Sequence, residues 1–186
     1  KEKRVEEIRT MSLKNKDQEV AIFIDVQNLY HSAKNIYQAR VNFKEVLKTG
    51  VAGRKLIRAF AYVVRTKTGE EKPFFDALTN LGIETRVKDL QEYYGGLKKA
   101  DWDVGMAVDA IKTSPGVDVI ILISGDGDFV PLVEYLQNHG KRVEVIAFGK
   151  STSSRLREAA DEFVDLEESV EKYLLRKPKW PLSLIH

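Results

Sequence analysis

Four aspartates in the sequence stand where their carboxylates could act together: Asp25, Asp103, Asp126 and Asp128. Carboxylates that cluster repel one another and cannot all remain ionised without a cation. Mg²⁺ and Mn²⁺ are the oxygen-preferring ions that suit such a group. Sites of this kind commonly activate a water molecule and stabilise the charge that develops during phosphodiester hydrolysis. The four residues therefore predict a divalent metal site with a catalytic use.

Two predicted strands position three of these aspartates. Residues 20–24 form an apolar run that ends in Asp25, and residues 117–123 form a second run that stops at the segment SGDGD, residues 124–128. In an α/β protein, ligands bind at the carboxyl ends of the parallel strands, which all lie at one edge of the sheet. Asp103 lies near the start of a predicted helix. It reaches this edge only if that helix begins there.

Each of these acids also has a simpler explanation. An aspartate directly after a strand commonly caps a helix or forms an Asx turn. Asp103 could be only a first-turn partner of the helix dipole. Asp109 lies opposite the apolar stripe predicted for this helix, so the helical wheel favours a solvated face for it. The stripe consists of Val104, Ala107, Val108 and Ile111. The recurrence of acids at two strand ends favours a site over two unrelated caps.

Other polar residues could support such a site. Asn28 could add a neutral ligand or orient a water molecule, and Ser124 could hydrogen-bond a carboxylate or a phosphate oxygen. Lys98, Lys99 and Arg155 lie in predicted loops or helix starts, where they could contact a nucleic-acid backbone. Ordinary surface charge explains any one of these basic residues equally well.

The elements that must position these residues alternate between strand and helix five or six times. This alternation predicts a three-layer αβα sandwich with a mainly parallel sheet of five to six strands and right-handed crossovers. Residues 19–176 form the predicted domain. Residues 1–18 read as a charged helix or arm and residues 177–186 as a tail, and residues 91–99 read as an exposed loop.

Composition narrows the class of protein. The chain has 186 residues, 43% of them hydrophobic, and a net charge of +2, which suits one globular domain and gives no general sign of nucleic-acid binding. The absence of cysteine excludes disulfides, thiolate metal sites and a cysteine nucleophile. No apolar run approaches the roughly 20 residues that span a bilayer. We therefore expect a cytoplasmic protein without a membrane segment.

Three segments resemble the NYN domain, in its LabA-like branch of the PIN-like nuclease superfamily. They are FIDVQNL at residues 23–29, KADWDVGMAVDA at residues 99–110 and SGDGDF at residues 124–129. A weaker fourth segment begins at Gly140, and the resemblance spans roughly residues 20–166. The order of the segments is specific, although each segment alone is not.

The resemblance implies a PIN-like fold and a metal-dependent ribonuclease that cleaves single-stranded RNA. Carried over by position, Asp25 is the first-strand acid, Asp103 opens the helix, and Asp126 and Asp128 follow the fourth strand. Asn28 and Asp109 match positions that the family also favours. Many relatives carry glycine after the first aspartate, whereas this chain has Val26 and Gln27.

Two other functions stay open at this point. The haloacid-dehalogenase phosphatases also place an aspartate after the first strand, but they need a second one two residues later, where this chain has Gln27. A non-catalytic alternative is an RNA-binding or regulatory module of the LabA-like type, which keeps the acidic pocket without turnover. Single-stranded RNA is the expected partner, and a homo-oligomer formed through the tail is a further possibility.

Overall fold

The computed structural model describes residues 14–96 and 98–175, and the side chains of Lys98 and Lys99 lie outside that description. Six strands form the central sheet: β1 (Glu19–Asp25), β3 (Lys55–Arg65), β4 (Glu84–Asp89), β7 (Val119–Ile123), β8 (Arg142–Ala147) and β9 (Glu162–Asp165). All neighbouring pairs are parallel, and the order across the sheet is β4-β3-β1-β7-β8-β9. The predicted fold class, an α/β sandwich with a mainly parallel sheet, is confirmed.

Helices cover both faces of this sheet. They are α1 (Val26–Tyr37), α2 (Phe43–Val51), α3 (Lys72–Asn80), α4 (Asp103–Thr113), α5 (Val130–Asn138), α6 (Ser154–Ala159) and α7 (Val170–Tyr173). Helices α1, α2 and α3 pack on one face, and α4, α5 and α6 pack on the other. Short 3₁₀ helices occupy Ser114–Gly116, Gly127–Phe129, Gly149–Ser151 and Leu166–Ser169.

Two small antiparallel pairs stand beside the main sheet. They are β2 (Arg40–Val41) with β10 (Leu174–Leu175), and β5 (Gln91–Glu92) with β6 (Lys98–Lys99). The second pair lies where the sequence predicted only an exposed loop. Gly95 and Gly96 have positive φ angles of 93° and 79°, which glycine adopts without strain and which let the chain reverse within a few residues.

The unbroken apolar runs of the central strands follow from burial on both faces. Successive side chains of a strand point to opposite faces, and in β1 Ile22 joins the core beneath α1 whereas Phe23 joins the core beneath α4. Strand β7 alternates in the same way, and all five of its residues are buried. A strand covered on both sides has no polar face, so it lacks the alternating pattern of a surface strand.

A buried ion pair ties the turn after α2 to strand β8 of the sheet. Arg54 donates from its two terminal nitrogens to the two oxygens of Glu144 in β8, at 3.0 and 2.8 Å. Burial alone would raise the pKa of the Glu144 carboxyl, but the hydrogen bonds and charge of Arg54 hold it below its usual value. Removing one partner of such a pair leaves an uncompensated buried charge, which commonly costs about 3–5 kcal/mol.

The orientation predicted for α4 is wrong for three of the four stripe residues, and only Ala107 packs against the core as expected. Val104, Val108 and Ile111, which were expected to face the core, are exposed by 76%, 42% and 37%. Met106 and Ala110 are buried against the sheet instead. The helix carries apolar residues on several sides, so its rotation depends on how its first turn is anchored to the sheet rather than on the pattern alone.

The predicted ends of the chain fall largely outside the described residues. The arm predicted for residues 1–18 is described only from residue 14, and the tail predicted for residues 177–186 lies beyond residue 175. The homo-oligomer through that tail therefore stays a prediction. Among the helices of residues 14–96 and 98–175, none has the length and apolar character to cross a membrane.

Candidate metal centre

Asp25 ends β1 and caps α1 at the same time. Its Oδ1 accepts the backbone N–H of Asn28 at 3.2 Å, which satisfies a donor in the first turn of the helix. Its Oδ2 accepts the Ser124 hydroxyl at 2.9 Å. The simpler explanation as a helix cap is therefore correct for Asp25, and the same carboxylate also faces the loop after β7.

The loop after β7 is held by short hydrogen bonds. The Ser124 hydroxyl oxygen accepts the N–H of Asp126 at 3.2 Å, so this one hydroxyl connects Asp25 to the backbone of Asp126. Asp126 Oδ1 in turn accepts the N–H of Asp128 at 2.9 Å. Because β1 and β7 are neighbours in the sheet, the segments that follow them meet at one edge, as the strand pattern predicted.

Asn28 fastens this loop from the first turn of α1. Its Oδ1 accepts the N–H of Gly125 at 2.9 Å. That oxygen was predicted as a neutral metal ligand or an orienter of water, and here it holds the backbone beside the acids. The predicted hydrogen bond between Ser124 and a carboxylate is present.

Gly125 and Gly127 leave no room for a side chain, because the segment that follows β8 lies directly against them. A Cβ built on Gly125 would lie 2.8 Å from Thr152 Oγ1, and one built on Gly127 would lie 2.7 Å from Ser153 Oγ. The N–H of Ser153 also donates to the carbonyl of Gly125 at 2.9 Å. The segment after β8 therefore packs directly on the acidic loop, a contact that no local sequence signal indicated.

Asp103 is positioned by the residue before it. The indole N–H of Trp102 donates to the carbonyl of Val63 in β3 at 2.9 Å. Lys88 lies 4.5 Å from the Trp102 ring centre, and a Cβ on Gly105 would lie 2.7 Å from that ring. The ring thus occupies the space that Gly105 leaves and anchors the start of α4 at the carboxyl edge of β3. Trp102 lies in a segment that carries the family resemblance, but it had no assigned role.

Three of the four predicted acids converge. Asp103, Asp126 and Asp128 each offer a carboxylate oxygen, and these oxygens lie within 4.8 Å of one another. Asp103 and Asp126 are half-buried and Asp128 is exposed. Asp25 is not one of these three clustered acids. It is connected to them by the Ser124 hydroxyl, which donates to its carboxylate.

Burial and neighbouring charges raise the pKa values of two acids at this edge, Asp103 and Asp25. Burial is the main cause that raises the pKa of Asp103 to about 6, and the charges of Asp126 and Asp25 raise it as well. Burial also raises the pKa of Asp25, against the opposing effect of its hydrogen bonds from Asn28 and Ser124. An all-oxygen donor set whose acids repel one another fits a hard divalent cation such as Mg²⁺ or Mn²⁺.

The family profile of the NYN domain matches residues 19–167, which includes every residue of this cluster. The chain belongs to the NYN domain family. The match covers the whole parallel sheet and all four predicted acids. The resemblance drawn from the sequence segments is therefore confirmed.

Relatives of this NYN domain are similar over most of its length. The low amplitude and bright protein LabA of Synechococcus elongatus is 26% identical over 164 residues, which cover 80% of this chain and 84% of LabA. An uncharacterized protein of Methanocaldococcus jannaschii is 27% identical over 154 residues, covering 80% of this chain and 55% of that protein. A crystal structure of a protein of unknown function from Vibrio parahaemolyticus superposes with a TM-score of 0.78 at 32% identity. It covers 87% of this chain and 99% of its own.

Asp109 of the NYN domain lies apart from the three clustered carboxylates. Its Oδ2 accepts the Tyr62 hydroxyl at 2.9 Å and lies 3.5 Å from Nε of Arg86. Its side chain is only 24% exposed, so the solvated face favoured by the helical wheel is wrong. Burial and the hydrogen bond to Asp109 raise the pKa of Tyr62, which keeps its hydroxyl a donor. Asp109 thus holds α4 against β3 and β4.

The predicted RNA-contacting residues are described only in part. Arg155 is exposed on α6, a helix that packs against the Gly127–Phe129 turn of the acidic loop. Lys98 and Lys99 form β6, but their side chains lie outside the description. Val26, where many relatives carry glycine, is 7% exposed and packs in the core beneath α1. Its branched side chain therefore points into the protein rather than over the acids.

Proposed function

We propose that this NYN domain is a divalent-metal-dependent ribonuclease that hydrolyses phosphodiester bonds of single-stranded RNA. The observation that supports it is the convergence of Asp103, Asp126 and Asp128 within 4.8 Å at the edge where β1 and β7 end. Membership of the NYN family and similarity to LabA agree with a nuclease-like or RNA-binding role.

Each residue of the site has a part in this proposal. Asp103, Asp126 and Asp128, together with Asp25, would hold the ion, and Mg²⁺ and Mn²⁺ are both suitable. When bound, such an ion supplies Lewis acidity and makes a water molecule more acidic. Ser124 and Asn28 keep the acidic loop in place through their bonds to Asp126 and Gly125. Trp102 keeps Asp103 at the same edge.

RNA binding in this proposal rests on basic residues around the acidic loop. Arg155 extends from α6, and Lys98 and Lys99 precede α4 by a few residues. Cations in these places would offset the repulsion between phosphates and the acidic cluster. Cleavage of a single strand suits an edge formed by loops, because the unpaired chain can adapt to it.

A cleavage assay on end-labelled single-stranded RNA tests the proposal. We expect cleavage with Mn²⁺ or Mg²⁺ and none with EDTA. Asp126→Asn should lose activity by roughly a hundredfold or more, because several kcal/mol of transition-state stabilisation depend on the ion. The matched control is Asp76→Asn, which removes an exposed carboxylate on α3 and should retain activity. Cleavage that survives EDTA and Asp126→Asn would contradict the proposal.

Calorimetry with Mn²⁺ tests the metal site, and the cleavage assay then separates the ribonuclease from the non-catalytic alternative. A ribonuclease should bind Mn²⁺, lose that binding in Asp126→Asn and cleave RNA. An RNA-binding module without turnover would bind RNA but would not cleave it in the presence of Mg²⁺ or Mn²⁺. Equal Mn²⁺ binding by the wild type and Asp126→Asn would contradict the metal site itself.

A further inference from the structure

A largely apolar cleft opens on the face of the sheet opposite α4. It has a volume of about 880 Å³ and lies between α1 and α3. Several large apolar side chains that line it are only partly buried, so they leave hydrocarbon surface open to water. They are Phe43, Phe74, Phe75 and Leu81. Contiguous apolar surface of this kind commonly marks a place where another segment or molecule binds.

Helix α1 forms one wall of the cleft along its whole length. Gln27 in its first turn, His31 and Lys34 further along, and Gln38 directly after its end all line the cleft. The 12 residues of α1 rise by about 1.5 Å each, so this wall is about 18 Å long. The cleft is therefore a groove long enough for a short extended peptide.

The described part of the chain ends in this groove. Leu175, its last residue, lines the cleft and is 41% exposed. Strand β10 runs antiparallel to β2, with Leu175 opposite Arg40. A chain that continued this pairing would pass Ala39 and then Gln38, and both of these residues also line the cleft. The direction of β10 therefore leads the following residues along the groove.

The sequence of the tail suits an apolar groove. Residues 176–186, RKPKWPLSLIH, lie outside the described residues, and four of them are large and apolar: Trp180, Leu182, Leu184 and Ile185. Trp180 is five residues beyond Leu175, and at about 3.3 Å per extended residue it can reach about 17 Å, nearly the length of α1. Pro178 and Pro181 restrict the backbone, which lowers the entropy lost on docking.

We propose that this tail, residues 176–186, docks in the cleft of its own chain, with Trp180 against the apolar walls. An indole ring can bury about 150–250 Å² there, and the long stems of the basic tail residues let their charges stay in water. Docking in cis is favoured over docking into a second copy, because a short connection gives an effective concentration of the order of millimolar. The proposal does not depend on nuclease activity.

Fluorine NMR of the full chain labelled with 5-fluorotryptophan, in EDTA, tests the docking. The chain has two tryptophans, Trp102 and Trp180, and Trp180→Phe assigns their signals. We expect the native Trp180 signal to lie away from its position in urea, because docking removes the ring from water. Ala77→Arg should shift it to the urea position, since this exposed cleft residue gains a long charged side chain. The matched control is Asn80→Arg, exposed on α3 and outside the cleft lining, which should leave the signal unchanged.

A tail variant tests the same contact and leaves the cleft intact. Leu182→Ser combined with Leu184→Ser should also move the Trp180 signal toward its position in urea. An unchanged Trp102 signal confirms that each variant is folded, and sedimentation equilibrium should show a monomer with the docked signal. The proposal is overturned if the native Trp180 signal coincides with that in urea, if folded Ala77→Arg leaves it unchanged, or if the docked signal appears only as the protein dimerises.

Discussion

At the scale of single residues, Asp103 is an acid of the cluster whose pKa responds to burial and to its neighbours. Burial and the nearby charges of Asp126 and Asp25 raise its pKa to about 6. Its charged form is therefore disfavoured in the metal-free protein. Metal binding at this site must displace a proton from some of the molecules near neutral pH, so the affinity for the ion should rise with pH.

Replacing a neighbouring acid should lower this pKa. In metal-free Asp126→Asn, we expect the pKa of Asp103 to fall by roughly half a unit or more, because a like charge is removed. Carboxyl-detected NMR titration measures it. Asp109→Asn is the control, since Asp109 lies on the same helix but is held by Tyr62 and Arg86. An unchanged Asp103 pKa in Asp126→Asn would show that the two acids do not interact.

At the scale of elements, the rotation of α4 decides which of its apolar residues stabilise the fold. Trp102 binds the carbonyl of Val63 and packs on Gly105, which turns Met106 and Ala110 toward the sheet. The same rotation brings Asp103 to the acidic cluster and Asp109 to Tyr62. The exposed valines of this helix contribute little to the core.

This rotation predicts that Met106→Ala and Val104→Ala, two truncations in α4, lower the free energy of unfolding by different amounts. Met106→Ala should lower the free energy of unfolding by about 2–4 kcal/mol, because the Met106 side chain is buried and its removal leaves a cavity between α4 and the sheet. Val104→Ala should change it by less than about 0.5 kcal/mol, because the side chain is mostly in solvent. Urea denaturation measures both. Similar losses in the two variants would mean that the helix is rotated differently.

At the scale of the whole molecule, stability should depend on pH and on the ion together. The folded-state pKa of Asp103 lies above its ordinary value, so folding favours the protonated form. Its contribution to the free energy of unfolding is fully present below about pH 4 and is lost as the pH rises through about 6. A bound divalent ion should reverse this trend, because it favours the charged carboxylates.

Thermal unfolding in EDTA and in Mn²⁺ at pH 5 and pH 7 measures this linkage. With Mn²⁺ at a hundred times its Kd at pH 7, we expect a gain of about 2.7 kcal/mol in the free energy of unfolding. The gain should be smaller at pH 5, where protons compete for the ligands. Asp126→Asn should lose most of the gain, whereas Asp76→Asn should keep it. If Mn²⁺ stabilised Asp126→Asn and Asp76→Asn equally, the ion would bind at a site other than the acidic cluster.

The sequence by itself determined the layers and the edge at which the chemistry is expected. Strands buried on both faces read as unbroken apolar runs, as in β1 and β7, and the strand-to-helix alternation then requires parallel pairing. Carboxyl ends of parallel strands share one edge, so Asp25 and the 124–128 segment were placed together by topology alone.

Only the tertiary structure decided the rotation of α4, the partner of Asp109 and the packing of the segment after β8 on the acidic loop. Each of these depends on contacts between residues far apart in the chain, such as Trp102 with Val63 and Ser153 with Gly125. Local periodicity reports which residues of a helix can be buried. Which of them are buried is set by the side chains and strands that the helix meets.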